Sequence, residues 1–150
     1  MNLSLHFSYA EFVYSETAIR RSISNAPSAG EVMAMRELCK HIMEPLRVAL
    51  DRPVYISSGY RSPELNALIG GSRTSQHMLG EAVDFHVEGF MPADVMHFAI
   101  YYMAPQLAYD QIILEFNRWI HISYGHRMRK EALVATKNHE GETVYHPFLG

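Results

Sequence analysis

The segment 28–50 restricts the fold more than any other part of the chain. Ser28-Ala29-Gly30-Glu31 has the spacing of a capping box, in which a serine oxygen and a glutamate satisfy each other's orphan backbone donors at a helix start. Val32, Met35, Leu38, Cys39, Ile42, Leu46 and Leu50 then recur at helical spacing. This stripe spans about six turns and needs an equally long apolar partner, while Pro45 should kink the helix that carries it. Met33, Met35 and Met43 read as core filler. Cys39 is the only cysteine and falls on the stripe, so it is expected as a buried, inert thiol with no internal disulfide.

The partner is legible as strands. Pro53-Val54-Tyr55-Ile56-Ser57 is β-rich, residues 82–87 alternate, and 110–116, 119–124 and 131–136 read as three further strands. Shorter helices are expected after Ser8-Tyr9-Ala10-Glu11, a second capping box, after Ser62-Pro63-Glu64, and from Met91-Pro92 to about Met103. Because strands and helices come in blocks with hairpin-length links late in the chain, the expected class is α+β, with helices packed on a mainly antiparallel sheet. The 150 residues suit a single domain, 1–150, in which 137–150 lack periodicity and are expected as a surface tail. A hydrophobic content of 48% against 19% charged residues excludes disorder for most of the chain. Thirteen basic side chains against 16 acidic ones give a net charge of -3, which argues against nucleic acid as a partner. No window approaches the ~20 apolar residues of a membrane span. Met1 to His6 lack the basic region and apolar core of a secretory signal, so synthesis in the cytoplasm is expected.

Chemistry concentrates in two short stretches. In Ser75-Gln76-His77-Met78-Leu79-Gly80-Glu81-Ala82-Val83-Asp84 a glycine turn separates a histidine from an aspartate that enters a strand, so both side chains can converge on one metal ion. Trp119-Ile120-His121-Ile122-Ser123 offers the third ligand, because in an alternating strand His121 shares a face with Trp119 and Ser123 while both isoleucines face the other way. Two histidines and one carboxylate leave a tetrahedral zinc one open position, the catalytic arrangement and not the closed structural one. His86 would share a strand face with Asp84 and is read as supporting the site without ligating. The other six histidines have no ligand spacing.

Ser-x-His-x-x-Gly-x-Ala-x-Asp at 75–84 followed by Trp-x-His at 119–121 resembles the zinc D-alanyl-D-alanine carboxypeptidase family, which includes D-alanyl-D-alanine dipeptidases and phage L-alanyl-D-glutamate endolysins; the Hedgehog signalling domain has the same zinc scaffold. Ser58-Gly59-Tyr60-Arg61-Ser62-Pro63-Glu64-Leu65-Asn66 is similar to the segment before the first ligand in that family, and His6-Phe7 through Ala18 to the amino-terminal helix of its short carboxypeptidase-like branch. The likeness runs from about residue 5 to 136. It implies a Hedgehog/DD-peptidase-like fold and zinc held by His77, Asp84 and His121. It also implies that Arg61 holds a substrate carboxylate or developing oxyanion beside the open position, and that Glu115 is the general base. Dipeptidases of the family carry the acid three residues before the last histidine and tryptophan directly before it. Here those positions are Arg118 and Ile120, and Glu115 lies six residues before His121, a spacing the Hedgehog-type branch shares. Ser75, Gln76, Tyr60 and Trp119 are expected to line the site or support its ligands, with Gly59 and Tyr60 positioning Arg61.

The resemblance implies a zinc metallopeptidase, a carboxypeptidase or endopeptidase of peptidoglycan stem peptides, acting at the cell wall once released or delivered; a monomer is favoured. A phage lysis enzyme or a tail-borne enzyme is the expected setting. The alternative is a non-catalytic zinc-stabilised domain that binds wall peptides or a protein partner. For Glu115 to serve His121, the hairpin between them must have an odd-length turn or a bulge, because a two-residue turn pairing Phe116 with Trp119 would put Glu115 on the wrong face. A three-residue loop at Asn117-Arg118-Trp119, pairing Glu115 with His121, is expected.

Overall fold

The computed structural model describes residues 1–103 and 106–150. They form an α+β domain whose elements, in chain order, are α1 (Tyr9–Val13), α2 (Glu16–Arg20), α3 (Ala29–Leu38), α4 (Glu44–Leu50), β1 (Val54–Ser58), α5 (Pro63–Leu68), β2 (Ala82–Val87), α6 (Pro92–His97), β3 (Gln111–Glu115), β4 (Trp119–Ser123), β5 (Glu131–Lys137) and β6 (Thr143–Pro147). The six strands make one sheet in the order β1-β2-β4-β3-β5-β6. Its pairs are antiparallel except β3 with β5, which run parallel, so the sheet is mixed and mainly antiparallel.

The Ser8 capping box forms in full and the Ser28 box by half. Ser8 and Glu11 exchange reciprocal bonds at the start of α1, and Ser28 accepts from the Glu31 N–H at the start of α3. α1 is short because a second serine cap, Ser15, restarts the chain as α2. The long striped helix runs from 29 to 50 and contains one π-helical turn, Cys39–Met43, between α3 and α4. Pro45 explains the irregularity: it offers no N–H to the carbonyl one turn back, and its ring crowds that carbonyl. The turn widens so that the Glu44 N–H reaches Cys39 instead.

Strand alternation sorts the sheet into two faces. Val83, Phe85 and Val87 of β2, Ile112 and Leu114 of β3, and Ile120 and Ile122 of β4 point one way and pack with Met35, Leu38, Cys39, Ile42, Met43 and Leu46 of the striped helix and Val95, Met96 and Ala99 of α6 and the turn after it. The Cys39 thiol is fully buried there, and burial pushes it up to about 12, which keeps it protonated and unreactive. The opposite face carries Asp84, His121, Ile113, Glu115, Leu133, Ala135 and Tyr145. One face is therefore committed to the core and the other is left for chemistry.

Residues 137–150, read from the sequence as a surface tail, include β6, which pairs with β5 along Leu133↔Pro147 to Lys137↔Thr143. Alternation is faint in Thr143-Val144-Tyr145-His146-Pro147 because an edge strand with little covering it needs no apolar period. Among the described residues, no helix is long and apolar enough to cross a membrane.

Candidate metal centre

His77 sits in a one-turn 3-10 helix, Gln76–Leu79, that Ser75 caps by accepting from the His77 N–H. Gly80 ends it at φ +72, and a Cβ there would come within 2.4 Å of the Glu31 carbonyl oxygen, so glycine is required both for the turn and for the close approach to α3. The chain then enters β2, where Asp84 pairs with His121 of β4 directly across the ladder. Three ligand atoms, one each from His77, Asp84 and His121, lie within 4.8 Å of one another. His77 Nε2 is 3.2 Å and His121 Nδ1 2.9 Å from Asp84 Oδ1.

The chemistry of this donor set fits a divalent cation. The Gly59 carbonyl, 2.7 Å away, assigns the His77 ring proton to Nδ1, and burial lowers the His77 pKa and keeps the ring neutral. Its Nε2 lone pair therefore faces a carboxylate oxygen. Two acceptors tolerate that approach when a cation lies between them. Burial opposes ionisation of Asp84, yet the hydrogen bond from His121 Nδ1 favours the ionised form, and the carboxyl is held well below the usual carboxylate range. Asp84 is thus a carboxylate ready to ligate.

Gly59 is fixed from below. A Cβ there would meet the Phe12 carbonyl oxygen at 2.3 Å, so only glycine lets β1 leave the sheet against α1. The Tyr60 N–H donates to that same Phe12 carbonyl at 2.7 Å, and Asn25 clasps the next turn, its Nδ2 donating to the Tyr60 carbonyl and its Oδ1 accepting from the Ser62 N–H. The Arg61 N–H donates to the His77 carbonyl at 3.1 Å. The loop is thereby held rigidly beside the centre. Arg61 faces the cavity, its Nη2 donating to Ser75 Oγ at 3.5 Å, while its Nε is buried with no partner. Burial lowers its pKa, opposed by Asp84 and Glu115.

Glu115 and His121 do share a face, and the turn between them is of odd length, but the register differs from the expected one. Phe116-Asn117-Arg118 is the loop, Glu115 pairs with Trp119, and His121 pairs with Ile113. Phe116 and Asn117 both take positive φ, 54° and 56°, and the Arg118 N–H closes the turn onto the Glu115 carbonyl. A phenylalanine rarely adopts that backbone. Here its N–H donates to the Ala135 carbonyl and its ring packs edge-on against Trp119 at 5.6 Å, contacts that the sequence pattern does not reveal. Glu115 is diagonal to His121, with Oε1 3.9 Å from Nδ1. Burial raises the Glu115 pKa, as does Asp84, while His121 and Arg61 oppose them.

An open cavity of about 650 Å³ lies over this face. Its lining brings together His77, Asp84, His121, Arg61, Glu115, Ser75, Gln76 and Trp119. Two expected residues stand outside it. Tyr60 is buried in the core, where desolvation and Glu31 push its phenol up to about 12, and its contribution is to anchor the loop that carries Arg61. His86 shares the face of Asp84 but lies exposed toward the strand end and stacks on Tyr55 at 5.2 Å, away from the ligands.

Asp110, Arg129 and Tyr145 enter the site without a sequence signal. Asp110 is fully buried and accepts from Arg129 Nε at 2.9 Å, Arg129 Nη2 at 3.0 Å and Gln76 Nε2 at 2.9 Å, which fixes the residue preceding His77. Tyr145 reaches the cavity from β6. The periodicity of an isolated segment cannot report such contacts, which join strands far apart in sequence.

A family model described as Peptidase M15 matches residues 5–123, a span that takes in the candidate ligands His77, Asp84 and His121, with Arg61 and Glu115, and stops before Arg129 and Tyr145. No curated protein matches the chain at a significant level.

Proposed function

The chain belongs to the peptidase M15 family, and from that premise we propose that it is a zinc-dependent peptidase of peptidoglycan stem peptides. The observation that carries the proposal is the neutral His77 ring, hydrogen-bonded through Nδ1 to Gly59, whose Nε2 converges with His121 Nδ1 on the ionised Asp84. His77, Asp84 and His121 would hold zinc. When bound, zinc supplies a Lewis acid that polarises a carbonyl and brings the acidity of water near neutrality.

The chain's own residues supply the rest. Glu115 faces the same space as the ligands and is the general base: its raised pKa suits it to take a proton from water and return it to the leaving amine. Arg61 presents a planar guanidinium from a braced loop, suited to a substrate carboxylate or to the charge that develops on the carbonyl oxygen. Ser75 and Gln76 orient Arg61 and the His77 turn through their hydrogen bonds. The cavity is open, as a site for a peptide attached to a polymer needs to be.

The test is to incubate the metal-loaded protein with purified peptidoglycan, measure newly exposed amino termini, and identify the cleaved bond by mass spectrometry of the released muropeptides. New termini that vanish with a chelator are expected. Binding to wall peptides with no cleavage would support instead a zinc-stabilised binding domain.

A further inference from the structure

The register of the sheet aligns Trp119, Glu115, Ala135 and Tyr145 in one row across β4, β3, β5 and β6. Residues in a row share a face, and adjacent strands stand about 4.8 Å apart. Between Glu115 and Tyr145 lies only Ala135, fully buried and ending at its Cβ, so the Tyr145 ring can lean across it toward Glu115. The ring lines the same cavity as the ligand triad. Its hydroxyl has no hydrogen-bond partner among the described residues. At the other end of the row, the Trp119 indole N–H is buried without a partner, as is Arg61 Nε across the cavity. Of these three donors only the Tyr145 hydroxyl is carried on an exposed side chain, 54% open, and so can meet a molecule that enters the cavity.

We propose that the Tyr145 hydroxyl is a substrate-contacting group of this site and donates a hydrogen bond to a backbone carbonyl oxygen of the bound stem peptide. The proposal rests on the peptidase reading. A peptide chain brings carbonyl acceptors at regular intervals, whereas the carboxylates of Asp84 and Glu115 repel an anionic group placed between them and the ring. Burial, followed by Glu115 and Asp84, raises the Tyr145 pKa and keeps the phenol protonated, a donor and not a base. β6 lies beyond the residues that the family model matches, so this contact is a property of the chain's own carboxyl-terminal strand.

The experiment combines kinetics with a spectroscopic readout. The zinc-loaded protein is labelled with 3-fluorotyrosine, and the resonance missing from Tyr145→Phe is assigned to Tyr145. Adding a soluble disaccharide-pentapeptide released from peptidoglycan should shift that resonance. Tyr145→Phe keeps the ring over Ala135, so metal content and melting temperature should match the wild type while kcat/KM for the same muropeptide falls about three- to tenfold, the share of one neutral hydrogen bond. A resonance that does not move with muropeptide added, or unchanged kinetics in Tyr145→Phe, overturns the proposal. Absence of turnover in the wild-type protein would refute the peptidase reading instead, and the resonance alone would then decide the role of Tyr145.

Discussion

Asp110→Asn isolates a charge pair, between the fully buried Asp110 and Arg129, that braces the turn carrying His77. The carboxylate is fully buried and receives the Arg129 backbone N–H, Nε and Nη2 and the Gln76 side chain. Arg129, foremost among these donors, lowers its pKa from 3.8 to about 2. At 1.36 kcal/mol for each tenfold change in proton affinity, the ionised form contributes about 2 kcal/mol at pH 7. The depressed value fixes the sign: this stability is fully present above the unfolded pKa and is lost as pH falls through the folded one. About half should remain at pH 3. Asparagine keeps the shape and mimics the neutral acid. In urea denaturation of the metal-free protein followed by far-ultraviolet circular dichroism, the variant should be about 2 kcal/mol less stable at pH 7 and about 1 kcal/mol less stable at pH 3. A deficit under about 0.5 kcal/mol at pH 7, within ordinary surface substitutions, or a gap that does not narrow at pH 3, would refute the reasoning.

Metal removal should lower the melting temperature, because a ligand at a thousandfold its dissociation constant adds about 4 kcal/mol to the folded state, or roughly 10 °C for a domain of this size; calorimetry with and without chelator measures it, alongside metal analysis of protein purified without added zinc. Arg61→Lys keeps the charge and loses the planar fork, so kcat/KM should fall at least tenfold on a substrate with a free terminal carboxylate, with the melting temperature nearly unchanged; steady-state kinetics checks it. Glu115→Ala should retain metal and fold but lose two to four orders of magnitude in turnover, the usual share of a general base, and a variant that stays active would place the base elsewhere.

The sequence alone determined whatever local periodicity and capping encode. The Ser8 capping box and the Ser28 cap, the striped helix and its disturbance at Pro45, the alternation that puts His121 opposite the core isoleucines, and the spacing of His77 and Asp84 around Gly80 each depend on residues within a turn or a strand of one another. Strand parity carried one step further: an odd-length turn is needed for Glu115 to face the ligands, and an odd-length turn is present. Which odd turn forms was decided by tertiary contacts, since Phe116 accepts a strained backbone in return for Trp119 and a bond to Ala135 on a strand reached only through β4 and the following loop. Likewise, nothing in the sequence around Asp110 or Asn25 signals its role, because each binds a partner 19 or more residues away that only the assembled fold brings near. β6 is the clearest case. Its weak alternation resembles a tail, and it becomes a strand because β5 presents an unpaired edge whose backbone groups it satisfies, a pairing energy that belongs to the folded sheet and not to the segment.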